Sequence, residues 1–69
     1  SLLDSVLQPR GVTDVNVLTL VQAMHAKWGP AVLRPSQRSL GLAHERRYTR
    51  TAAWLLETYG SLVALESLE

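Results

Sequence analysis

The stretch TDVNVLTLVQAMHAKWGP, residues 13–30, decides the fold. At about 100° per residue, Val17, Leu18, Leu20, Val21, Met24 and Trp28 fall on one stripe, while Asn16, Thr19, Gln22, Ala23, Ala26 and Lys27 face away. That spacing predicts a helix over residues 14–28 whose stripe is core. Thr13 or Asp14 offers the oxygen that caps its start, and Gly29 followed by Pro30 stops it. His25 lies at the edge of the stripe, where a half-buried histidine hydrogen-bonded to backbone is expected.

Toward the N-terminus, Leu2, Leu3, Val6 and Leu7 share one side of a helical wheel, with Asp4 and Gln8 on the other, until Pro9, Arg10 and Gly11 end the pattern. A short first helix follows from this. Beyond Gly29, residues 29–35 read as a connector in which Ala31, Val32 and Leu33 dock on the core, a short strand being the alternative. Ser36 can cap a brief helix over residues 37–40, with Gly41 marking a turn. From about Ala43 a long helix is expected, with Tyr48, Ala52, Leu55, Leu56 and Tyr59 as its apolar stripe and Arg46, Arg47, Arg50, Trp54 and Glu57 opposite. The pattern breaks at Gly60, so residues 61–68 are expected to form a separate closing element, either a helix capped by Ser61 or an extended segment. The fold class is therefore all-α, a compact bundle of four to five short helices in a single domain over residues 1–69, with a helix-turn-helix unit as a candidate part.

A chain of 69 residues buries only roughly 60% of the surface its unfolded form exposes, so its core is thin. Its 46% hydrophobic residues suit a folded domain, and zero cysteines exclude a disulfide or a thiolate zinc site. The cytoplasm is the expected compartment. No apolar run approaches the roughly 20 residues of a membrane span, because Asn16, Thr19, Gln22 and His25 interrupt the longest. No membrane partner is expected. Ser1, Leu2, Leu3 and Asp4 lack the basic region and cleavage site of a signal peptide. The boundaries are also compatible with a module cut from a longer protein.

Chemistry leaves few traces in this sequence. Glycines 11, 29, 41 and 60 are too scattered for a phosphate loop, and none precedes the Lys-Ser or Lys-Thr such a loop needs. His25 and His44 have no metal-ligand spacing. The expectation is no catalysis, no cofactor, no metal and no small-molecule substrate.

Charge is more informative. Net charge is +1, yet five of the seven basic residues (Arg34, Arg38, Arg46, Arg47 and Arg50) lie within residues 34–50 against the single acid Glu45. Polyanions are bound by neutralising phosphates, which favours such clustering. Arg38, Arg46, Arg47, Arg50 and Thr49 are accordingly the candidate contacts to duplex DNA, with Tyr48 and Thr51 nearby as polar groups of suitable size. A short helix, a turn containing Gly41 and a longer basic helix have the order of a helix-turn-helix. Trp54, one turn after Arg50, and Leu65 point instead to protein contact, with a second copy or a partner helix as the occupant. Trp54 could alternatively stack under Arg50 or lie against the first helix. A third reading makes the arginines a solvated surface partly paired with Glu45 and Glu57.

The run TRTAAWLLETYGSLV, residues 49–63, resembles the end of a recognition helix passing into a wing, as in winged-helix DNA-binding regulators, where Leu-Leu-Glu precedes a Gly and an apolar pair follows it. The resemblance implies a DNA-binding domain used in transcription regulation, dimeric in use. It would place a basic N-terminal half in the groove, corresponding to Arg46, Arg47, Tyr48 and Arg50.

Overall fold

The starts of α-helices here are set mainly by side-chain oxygens that accept otherwise free N–H groups, and in one case by proline. The computed structural model describes residues 1–67, and among these are five helices and no strand. Ser1 Oγ accepts from the Asp4 N–H at 3.3 Å to begin α1 (Leu2–Leu7). Thr13 Oγ1 accepts from the Asn16 N–H at 3.3 Å to begin α2 (Asp14–Trp28), which ends at Gly29 with φ 72°. Pro30 opens the single turn α3 (Pro30–Leu33), where its missing N–H costs nothing. Ser36 and Ser39 form a reciprocal capping box at the head of α4 (Gln37–Glu45). The longest element is α5 (Thr49–Ser67).

α5 packs against α4 and α2, while α1 closes the other side against α4, α2 and α3. Asp14 and Thr51 are bonded at the heads of α2 and α5, and His25 and Tyr59 are bonded further along, so these two helices run parallel. The core is a seam of Val17, Val21 and Met24 from α2, Tyr48 preceding α5, and Ala52, Leu55, Tyr59 and Val63 on it. Leu3 and Leu7 of α1, Leu33 of α3 and Ala43 of α4 complete it. A helix as short as α1 does not persist alone. Burying its two leucines, worth about 1.5–3 kcal/mol each, is what holds it.

The all-α bundle agrees with the sequence reading, but several details differ. On α2 the buried seam is narrower than expected: Leu20 is 51% exposed and Trp28 46%, because neighbouring elements cover only the 17/21/24 line. Lys27 lies over the Trp28 ring, 5.1 Å from its centroid. Residues 31–33 are helical rather than extended, with Leu33 alone of the three buried. Asp4 does not face away from the protein: it accepts from the buried Ser39 Oγ at 2.5 Å.

Gly41 does not form a turn. α4 runs through it to Glu45, and a Cβ there would meet nothing within 4 Å. Since glycine in an exposed helix interior costs about 0.5–1 kcal/mol relative to alanine, Gly41→Ala should stabilise the chain by that amount. A thermal melt should show a rise of about 2–8 °C; no rise would mean that Gly41 serves something other than the folded helix.

The turn lies instead at Arg46, Arg47 and Tyr48, so α5 starts at Thr49 and not near Ala43. The Arg47 N–H donates to His44 O at 3.0 Å and the Tyr48 N–H to Ala43 O at 2.9 Å, the two bonds of a Schellman helix end. Tyr48 and Ala43 are both buried, which supplies the apolar contact of that motif. α5 also passes Gly60 without a break, so residues 61–67 are the end of α5 and not a separate element or the start of a wing; residue 68 lies outside the described residues. Its buried face is rotated from the expected stripe: Leu56 is 61% exposed, while Thr51 and Val63 are buried.

Candidate functional site

The 46–48 turn is stapled to the loop after α1. Arg46 Nε donates to Gln8 O at 3.0 Å, and the Tyr48 hydroxyl donates to Pro9 O at 3.0 Å. Both acceptors lie just beyond the C-terminus of α1, where carbonyls lack helical partners and the helix dipole favours a cation. Buried Tyr48 therefore acts as a strut between two turns. The strut brings Arg10 beside Arg46 and Arg47, and together with Glu45 they line a depression of about 290 Å³. Arg46 Nη1 stands 3.8 Å from Glu45 Oε1. Gly11, with φ 83°, makes the bend that turns the chain back into α2.

The residues expected to bind nucleic acid do not form one helix face. Arg38 is exposed in the first turn of α4, Arg46 and Arg47 are in the turn, and Thr49 and Arg50 are exposed at the head of α5. Arg46 is largely withdrawn, its side chain 13% exposed because it is bonded to the α1 end. Arg47 is exposed and held at φ 62°, a left-handed conformation that costs a non-glycine residue about 1–2 kcal/mol. Arg34 is similar, at φ 54° after α3. Arg10, Arg34, Arg38, Arg47 and Arg50 make no salt bridge among the described residues, and Glu57 pairs with none of them.

Trp54 is not a solvent-side neighbour of Arg50. It is half-buried, meeting the His25 ring edge-on at 5.4 Å and the Tyr59 ring at 5.7 Å. Tyr59 and His25 are likewise edge-on at 5.3 Å, with His25 Nδ1 and the Tyr59 hydroxyl 2.7 Å apart. His25 thus bonds a side chain where a backbone partner was expected. Leu65 is 63% exposed near the end of α5.

Sequence reasoning missed Asp14 as a site-forming residue. Its carboxylate accepts from the Arg50 N–H at 2.7 Å, the Thr51 N–H at 3.0 Å and the Thr51 hydroxyl at 2.7 Å. An acid in the first turn of α2 thereby caps α5 as well, lying where the positive ends of two parallel helix dipoles meet. Burial opposes its ionisation, yet the Thr51 hydroxyl, the Thr51 and Arg50 N–H groups and the Arg50 guanidinium outweigh that and hold its carboxyl below the ordinary 3.8. The head of α5 is consequently occupied by the protein's own anion. Only the Thr13-Asp14 pair hinted at this, and as a cap for α2.

A second depression, about 430 Å³, is lined by Ser1, Asp4, Arg34, Pro35 and Ser36. Its one carboxylate, Asp4, is committed to Ser39 and lies 3.8 Å from the Ser1 amino group. Among the described residues no three acidic or histidine side chains are placed to hold a metal ion, and no helix is long and apolar enough to cross a membrane. No family model matches the chain, and no curated protein or solved structure was found similar to it.

Proposed function

We propose that the chain is a small non-catalytic domain that binds the phosphate backbone of duplex DNA through the arginines around the α4–α5 turn, in a regulatory role. The observation that carries this reading is that Arg10, Arg34, Arg38, Arg47 and Arg50 stand without salt bridges among the described residues, Arg47 within that turn and Arg50 two residues past it. Like charges held near one another raise the energy of the free protein, and a polyanion relieves it. α4, the three-residue turn and α5 follow one another in helix-turn-helix order, which would direct Thr49 and Arg50 toward base edges and Arg38 and Arg47 toward phosphates. Arg46 contributes from below, as the residue that fixes the turn.

Titration against a duplex at two salt concentrations tests this. Neutralising about three phosphates should give a log–log slope of roughly −2.7, hence roughly 40-fold weaker binding at about 200 mM than at about 50 mM salt. Absence of binding at low salt, or binding indifferent to salt, would overturn it.

A second reading, docking of a partner helix or of a second copy, is supported by Leu62 and Leu65, both exposed on the second half of α5. Trp54 contributes less to it than Leu65, being engaged with His25 and Tyr59. Sedimentation of the isolated chain is the discriminating measurement: a strict monomer at high concentration removes the second-copy form.

A further inference from the structure

We propose that the depression between the 8–12 loop and the 45–48 turn is a seat for a single phosphate group, held by Arg10 and Arg47. This rests on the nucleic-acid reading for the source of the phosphate, though not for the chemistry of the seat.

The two walls are fixed before any ligand arrives. Arg46 Nε on Gln8 O and the Tyr48 hydroxyl on Pro9 O, each at 3.0 Å, tie the loop to the turn. Of the three guanidinium groups lining the depression, Arg46 is spent on this tie and on Glu45, which leaves Arg10 and Arg47 free to meet an anion. Gly11 and Val12 are among the residues lining the same depression, and their backbone N–H groups have no hydrogen-bond partner among the described residues. Arginine forks and loop N–H groups are the donors that oxyanions favour.

Arg47 supplies the independent observation. It occupies the left-handed position of a Schellman helix end, which glycine takes at least cost. A strained residue where a cheaper one would serve points to a use for its side chain. Favourable interaction with the α4 dipole is one such use, but Arg10 lines the same depression, and a second cation there works against it. The competing anion site, the head of α5, is closed by Asp14. A phosphate is thereby directed to the loop and not to the helix end.

The test uses the isotope-labelled chain, titrated separately with inorganic phosphate and with duplex DNA while the amides of Gly11, Val12 and Arg47 are followed by NMR. Arg47→Gly is the key variant, because it should raise the melting temperature while removing a ligand arm, so a loss of binding cannot be blamed on unfolding. Arg10→Ala is the second. Shifts at these amides that vanish in both variants support the seat, as does a salt slope for duplex binding that falls by about one unit in each. Perturbation by both ligands assigns the seat to the phosphodiester backbone; perturbation by inorganic phosphate alone, with no duplex binding, keeps the seat and ends the DNA reading. If duplex binds while these amides stay unmoved and both variants keep the slope, the seat is overturned and the DNA reading stands. Shifts that survive in both variants also overturn it.

Discussion

Asp14→Ala should lower the stability of the chain by about 2 kcal/mol, measured as a drop in urea midpoint with an unchanged m-value. The carboxylate accepts two N–H groups of α5 and the Thr51 hydroxyl, all within 3.0 Å, and the charge sits against two helix N-termini. The loss is bounded because Thr51 Oγ1 also reaches Asp14 O at 3.2 Å, so the buried hydroxyl keeps an acceptor when the side chain goes. Asp14→Asn, which keeps an oxygen but not the charge, should cost about half as much. For a chain of 69 residues, whose total stability is of order 3–10 kcal/mol, the alanine variant removes a large share. A change in midpoint of less than a tenth of this size would mean that α5 finds another cap.

The same group sets an acid dependence. Its carboxyl titrates below 3.8 in the folded chain, so between that lowered value and 3.8 the unfolded state binds more protons and stability rises with pH. The contribution is complete above 3.8 and is lost as the pH falls through the folded value. Asp14→Asn should flatten this part of the stability curve.

Local chemistry made α2 legible from its residues, since Thr13 and the Gly29-Pro30 pair are start and stop signals that act within a few residues. The long-range parts were not. Gly41 and Gly60 are both helical, and glycine ends a helix only where the surroundings demand a positive φ, which neither adopts. That demand falls on Arg47, a residue type that gives no such signal. Misplacing the turn shifted the expected start of α5, and the arginines then seemed to share one face of one helix. The stripe of α5 was misjudged for a related reason: Thr51 is buried because Asp14 answers its hydroxyl, and Leu56 is exposed because no element lies over it. Arg10 escaped notice because only the Tyr48 and Arg46 tethers bring its loop to the turn.

Tyr59→Ala should cost about 4 kcal/mol, which comes close to unfolding a chain of this size. Tyr59 is 1% exposed and sits at the centre of the only aromatic cluster among the described residues that joins α2 to α5. Its two edge-on pairings, with His25 and with Trp54, contribute about 0.5–1.5 kcal/mol each beyond the area they bury, so truncation removes packing and both pairs at once. Tyr59→Phe separates the ring from the hydroxyl. It keeps the packing but leaves His25 Nδ1 without its 2.7 Å partner, at an expected cost of about 1 kcal/mol. The pH dependence supplies an internal check. Burial pushes the Tyr59 hydroxyl above its ordinary 10.0, so as pH rises past 10 the unfolded chain releases its proton first. Stability from this group is complete below 10 and declines above it, and Tyr59→Phe should lose that alkaline decline while Asp14→Asn retains it. Because the Asp14 cap holds the head of α5 and the Tyr59 cluster its middle, duplex binding of Tyr59→Phe should match the parent chain at neutral pH. A loss of binding in that variant would mean that the arginine corner depends on the whole length of α5 and not on its head alone.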